Sequence, residues 1–118
     1  MYKKIITRKV SENSIQNSIL LYLNSIPKCF AWRNNSVGIY DPQKKVYRKK
    51  VGRFDINGVS DIICIYNGHT LFIEVKTPNN KNKLSIAQKE FMTKVTRCGG
   101  IAYVASSIQD VADFIKKL

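Results

Sequence analysis

The stretch SDIICIYNGHTLFIEVK, residues 60–76, decides the fold. Two runs rich in β-branched and aromatic residues, Ser60 to Tyr66 and Thr70 to Lys76, flank Asn67-Gly68. An Asn-Gly pair between such runs is a strong short-range signal for a β-hairpin with a two-residue turn, because both turn residues need positive φ. The turn also sets the register. With Tyr66 opposite His69, counting backwards brings Asp61 opposite Glu74. Opposed residues of an antiparallel pair share a face, with β-carbons roughly 5 Å apart. Lys76, two residues beyond Glu74, falls on that face too. A slip of one residue would set Asp61 against Val75 and separate the two acids.

Three charges at one end of an otherwise apolar hairpin need a physical reason. Two carboxylates opposed on paired strands repel each other. A divalent cation between them removes the conflict, and Mg²⁺ or Mn²⁺ prefers such hard oxygen donors. A nearby lysine would hold or activate a water for attack on phosphorus, with the metal polarising the phosphate. The plainer explanation is that Glu74-Val75-Lys76 is an exposed alternation and Asp61 a turn residue. By itself a Glu-x-Lys motif is weak; Asp61, the apolar surroundings and the charge of the chain strengthen it.

Outward from the hairpin, the pattern alternates helices and strands. Ser11 caps a predicted helix from about Glu12 to Ser25, with Ile15, Ile19, Leu20, Leu23 and Ile26 at helical spacing and Pro27 after its end. Residues 29–57 give strand-like pieces only near Val37 to Tyr40 and Lys45 to Lys49, with Asp41-Pro42 as a turn between them. Beyond the hairpin, a helix is expected from about Ser85 to Arg97, its apolar face formed by Leu84, Ala87, Phe91 and Val95 and its end marked by Cys98-Gly99-Gly100. Ile101 to Ala105 reads as a buried strand, and Ser107 caps a last helix with Ile108, Val111, Ala112 and Ile115 on one side. The strand–helix–strand unit from Thr70 to Ala105 calls for parallel strands, and the two-sided apolarity of the hairpin calls for helices on both faces. The expected class is α/β with a mixed sheet.

The 118 residues suit one domain, spanning 1–118. No apolar run approaches the roughly 20 residues of a membrane span, and Met1 to Lys9 is followed by no apolar signal segment. Lysine and arginine number 20 against 8 acidic residues, a formal net charge of +12. That excess favours a polyanionic partner, nucleic acid before an anionic membrane. Cys29, Cys64 and Cys98 are widely spaced, which argues against a zinc site and for reduced, buried thiols in a cytoplasmic protein. His69 is the only histidine, so mechanisms that need several are excluded.

Two further polar residues stand near the expected site. Glu12 opens the first helix, where an acid suits the helix dipole. Gln88 lies on the buried face of its helix, yet Ser85-Ile86-Ala87-Gln88 also matches a capping box. Spacing alone favours these plainer roles for both.

Taken in order, Glu12, Gly58-Val59-Ser60-Asp61, Glu74-Val75-Lys76 and Gln88 in Leu84-Ser85-Ile86-Ala87-Gln88 resemble the VRR-NUC domain, the virus-type replication-repair branch of the PD-(D/E)XK nucleases. Trp32-Arg33-Asn34-Asn35 and Gly99-Gly100-Ile101-Ala102-Tyr103-Val104 are similar to that family as well. The match runs from about Glu12 to Ser107. Ser60 stands where the superfamily's name has proline, a usual replacement in this branch.

The resemblance implies a restriction-endonuclease-like core of the order αβββαβ. It implies a metal-dependent endonuclease acting on DNA, branched or duplex, with four-way junctions and flaps as expected substrates. Asp61, Glu74 and the Val75 carbonyl would bind Mg²⁺ or Mn²⁺, and Lys76 would position or deprotonate the attacking water. Gln88 would support the site, and Glu12 would act through metal-bound water. Similar stand-alone nucleases form homodimers, and one is expected here. Lys44, Lys45, Arg48, Lys49, Lys50 and Arg53 are the expected DNA contacts, with Lys3, Lys4, Lys81 and Lys83 in support. Such contacts position a duplex and carry no sequence information directly. Trp32, Tyr40 and Tyr47 are read as packing residues before base-stacking ones. A binding module without catalysis on the same fold is the alternative; it would show salt-sensitive binding and no cleavage.

Overall fold

The computed structural model describes residues 10–34, 39–48, 54 and 56–118. Its elements follow the order α1 (Glu12–Ser25), β1 (Cys29–Arg33), β2 (Ile39–Asp41), β3 (Val46–Arg48), β4 (Ile62–Tyr66), β5 (His69–Val75), α2 (Ile86–Arg97), β6 (Ile101–Ala105) and α3 (Ile108–Ile115). A short 3-10 turn at Pro78–Asn80 links β5 to α2. Four strands form a mixed sheet in the order β1-β4-β5-β6, and β2 pairs with β3 in a separate ribbon. β4 is antiparallel to β1 and β5, while β5 and β6 run parallel. The α/β class and the mixed sheet are as the sequence predicts.

The hairpin forms in the expected register, with Tyr66 opposite His69 and Ile62 opposite Ile73. Asn67 (φ 46°) and Gly68 (φ 82°) both adopt positive φ, as a tight two-residue turn matching strand twist requires. One face of the sheet carries Ala31, Ile62, Cys64, Leu71, Ile73, Val75 and Ala105. These pack with Ile15, Ile19 and Leu23 of α1 and Val111 and Ile115 of α3 in a single core. α2 lies on the opposite face, where Phe91 meets Phe72 edge-on with ring centroids 5.4 Å apart. Helices therefore cover both sides of β5.

Local chemistry explains the helix limits. The Ser11 side chain accepts from Ser14 N, and Ile26 is already extended, the conformation that a following proline imposes. Ser85 and Gln88 form a reciprocal capping box on α2. Gly99 (φ 85°) ends that helix, and the Gly100 N–H returns to the Val95 carbonyl, a left-handed cap that glycine adopts without steric penalty. Ser107 caps α3 by accepting from Asp110 N.

Several details differ from the sequence expectation. β1 is a strand with only Ala31 buried, so no apolar alternation announced it. Its backbone edge is closed by Asn24 of α1, whose amide donates to the Ala31 carbonyl (3.0 Å) and accepts from Ala31 N (2.9 Å). The side chain thus stands in for a missing neighbour strand. Ile108, expected on the apolar side of α3, is exposed. Of the cysteines only Cys64 is buried; Cys29 is half-buried and Cys98 exposed, all three as free thiols. Among the described residues no helix is long and apolar enough to cross a membrane.

Gly58 is fixed by a close approach. A β-carbon built there would lie 2.6 Å from the Gln88 backbone nitrogen and closer still to the carbonyl of Ala87, and its φ is +78°. Nothing but glycine lets the loop before β4 lie against the first turn of α2. Gly58→Ala should lower stability by about 2 kcal/mol, the cost of overpacking plus strain. That is a fall of roughly 5–10 °C in the thermal midpoint, read by circular dichroism. An unchanged midpoint would show that the loop sits elsewhere.

Candidate active site

At the open end of the hairpin β4 and β5 part, and side chains take over from the ladder. The Asp61 carboxylate accepts the Val75 N–H through Oδ2 at 2.8 Å, while the Asp61 carbonyl accepts from Asn34 N at 2.8 Å. Asp61 thereby extends both neighbouring pairings by one residue, and its side chain lies against the end of β5. Continuing the Ile62–Ile73 register by one step sets it opposite Glu74. On the other edge of β5, Lys76 N donates to the Ala105 carbonyl at 3.0 Å. A strand residue sends its N–H and C=O to the same side, so the Val75 carbonyl is directed towards the Asp61 side.

Glu74 is only 3% exposed. Its Oε1 accepts the side-chain amide of Gln88 at 2.9 Å, and the Gln88 Oε1 accepts Ser85 N at 2.9 Å. Gln88 therefore has both roles that its position suggested: it closes the capping box of α2 and holds the buried acid. Gly58, pressed against the same helical turn, fixes the loop that delivers Asp61. The Ser60 hydroxyl is buried without a hydrogen-bond partner, so this position packs as a small apolar residue would.

Burial pushes the Glu74 carboxyl up to about 8. The charge of Asp61 and hydrogen bonding with its carboxyl add to the rise, Lys76 opposes it, and Glu12 adds a smaller push. The structure thus brings Asp61, Glu74, Lys76 and Gln88 together, with Glu12 near enough for its charge to be felt. Of the expected DNA contacts, Lys44 and Lys45 are exposed in the turn between β2 and β3, and Arg48 ends β3. Lys49, Lys50, Arg53, Lys3 and Lys4 lie outside the described residues. Lys81 is engaged elsewhere, in an ion pair with Asp110 at 3.0 Å. Sequence reasoning missed the clamp of Gly58 on α2; its signal was an isolated glycine before a strand.

The donor set fits a hard divalent cation. Among the described residues no three His, Cys, Asp or Glu side chains gather closely enough to hold a metal by themselves. Two carboxylates and a main-chain carbonyl do converge, however, and burial beside Asp61 favours the protonated form of Glu74 when no cation offsets it. An apolar cleft of about 580 Å³ lies between α2 and the start of β5, lined by Phe72, Phe91, Val95 and Ile101. It is at the opposite end of the sheet from Asp61 and Glu74, and no carboxylate is among its lining residues.

A measurable stability effect follows in metal-free buffer. Glu74 ordinarily titrates near 4.5 and here near 8, so the folded state binds the proton more tightly than the unfolded chain. This group's contribution is greatest below about 4.5, declines as pH rises and is fully lost above about 8. Glu74→Gln keeps an acceptor for Gln88 and removes the titration. Thermal unfolding in EDTA should give the variant the higher midpoint at pH 8, by about 5 °C for each 1 kcal/mol relieved, with the difference closing towards pH 5. Parallel curves across this range would contradict the assignment.

A family model of the VRR-NUC domain matches residues 44–109, a span that includes Asp61, Glu74, Lys76 and Gln88. No curated protein sequence matches the chain. Among solved structures, a VRR_NUC domain protein is similar at a TM-score of 0.63 and 21% identity, over 92% of this chain and 88% of the other. At that identity the likeness speaks for the fold alone. The family model covers more than half of the sequence, and on that match the chain belongs to the VRR-NUC domain family of nucleases.

Proposed function

We propose that this chain, as a single domain of residues 1–118, is a metal-dependent DNA endonuclease that hydrolyses phosphodiester bonds. Its expected selectivity is for branched DNA such as four-way junctions or flaps. The observation that supports this best is the buried Glu74 carboxylate, held by Gln88 and set beside Asp61, with Lys76 just past the end of the same strand. Asp61, Glu74 and the Val75 carbonyl would hold Mg²⁺ or Mn²⁺. The ion would supply charge stabilisation to the phosphate and acidify water at the site.

The side chains divide the remaining work. Gln88 fixes the rotamer of Glu74, and the Val75 N–H fixes that of Asp61, so both acids are held in place before substrate arrives. Lys76 lies at the rim, half-buried, and is assigned to hold the attacking water and take or steer its proton. Glu12, at the start of α1, would orient water on the far side of the acid pair. Lys44 and Lys45, with Arg48, Lys49, Lys50 and Arg53, are assigned to phosphates of the flanking DNA. The net charge of +12 supports such a partner. A homodimer would offer two such sites to the two strands of a junction.

The test is cleavage of labelled four-way junction, flap and linear duplex DNA in Mg²⁺ or Mn²⁺ and in EDTA. The expected result is metal-dependent cutting, fastest on a branched substrate. Asp61→Ala should abolish it, Lys76→Ala should slow it roughly 100-fold or more, and Gln88→Ala should slow it about 10–100-fold through loss of positioning. Salt-sensitive binding without cutting of any substrate would overturn the proposal in favour of a binding module.

A further inference from the structure

β1 presents an aromatic pair to the outside of the sheet. Ala31 faces the core, so its neighbours Phe30 and Trp32 point to the face that carries Glu74 and Phe72. α2 occupies that face over β5 and β6. Over β1 and β4, among the described residues, Phe30 remains 64% exposed, Ile65 44% and Trp32 38%. The two rings lie side by side with centroids 5.3 Å apart. Trp32 packs on Phe30 yet keeps part of its surface in water, and Phe30 keeps most of its own.

The position of the pair relates it to the acid cluster. Trp32 is opposite Ile63, which is two residues from Asp61 on the same face, and the Asn34 N–H bonded to the Asp61 carbonyl carries β1 up to the site. Phe30 lies two residues further away, about 7 Å along the strand. A row of aromatic side chains thus leads from the acid cluster along one direction. Two occupants fit an aromatic row: another copy of the chain or a nucleobase. The charge of +12 favours the second, which belongs to a polyanion. Bases in a duplex are stacked on each other, so only unpaired ones offer a free π-face.

We propose that Phe30 and Trp32 form a stacking platform for unpaired nucleotides next to the scissile phosphate, and that this platform gives the enzyme its preference for branched or single-stranded regions. The proposal rests on the nuclease reading for the word scissile, but base stacking is measurable without cleavage.

Trp32 is the only tryptophan, so its emission reports on its own ring face. The full chain is titrated in EDTA with an oligothymidylate and with a blunt duplex, and binding is followed in parallel by anisotropy of a labelled oligonucleotide. The expected result is quenching of Trp32 by the single strand and little change with bound duplex. Phe30→Leu, which keeps apolar bulk but removes the ring, should weaken single-strand binding roughly tenfold and leave duplex binding unchanged. Unaltered emission at saturating single strand would overturn the platform, as would equal quenching by blunt duplex. A dimer seen by sedimentation without DNA and lost in Phe30→Leu would also overturn it, marking the face as a contact between copies. Quenching without cutting in any metal keeps the platform and removes the nuclease reading; cutting without quenching does the reverse.

Discussion

The two-residue turn at Asn67-Gly68 governs the pairing of β4 with β5, and through it the meeting of Asp61 with Glu74 at the far end of the hairpin. Side chains alternate faces along a strand, so a shift of one residue would exchange the core face of β4 for its outer face. Ile62 and Cys64 would leave the core, and Asp61 would lose its place beside Glu74. The apolar pattern and the turn therefore demand the same register, and the chemistry at the open end depends on it. The Val75 N–H, left without a strand partner there, donates to the Asp61 carboxylate instead, which ties the end of the ladder to the first acid.

Electrostatics sets the second constraint. A carboxylate as enclosed as Glu74 is costly beside another acid, and the single Lys76 does not cancel the cost. Proteins rarely retain such an arrangement for stability, since an apolar residue in its place would pack at least as well. The support around the pair is extensive by comparison: Gln88 on Glu74, Ser85 on Gln88, Gly58 against the same turn of α2. Each contact spends local freedom on the placement of two oxygen-rich groups. In the proposed reading that placement is a cation site, and a bound ion would offset the repulsion within the acid pair.

Much of this was legible in the sequence because it rests on local rules. Ser11, Ser85 and Ser107 act as caps, Pro27 and Gly99 as stops, and Asn67-Gly68 as the turn; each has its effect through residues within a few positions. β1 was not legible. Its single buried residue is the small Ala31, its aromatic side chains face outward, and its free edge is closed by Asn24 from another element. The double role of Gln88 was half visible, since the capping box is a sequence pattern but the contact with Glu74 needs the fold. Gly58 could be seen only as an isolated glycine, because the backbone that it touches is some thirty residues away.

The central claim is that Asp61 and Glu74 form a divalent-cation site, and direct Mn²⁺ binding tests it without any DNA. Electron paramagnetic resonance of free Mn²⁺, titrated with wild type, Asp61→Asn and Glu74→Gln, gives the bound ion per chain. The account predicts saturable binding in the wild type and its loss in both variants while their circular dichroism stays native. Equal Mn²⁺ binding by all three folded proteins would contradict it.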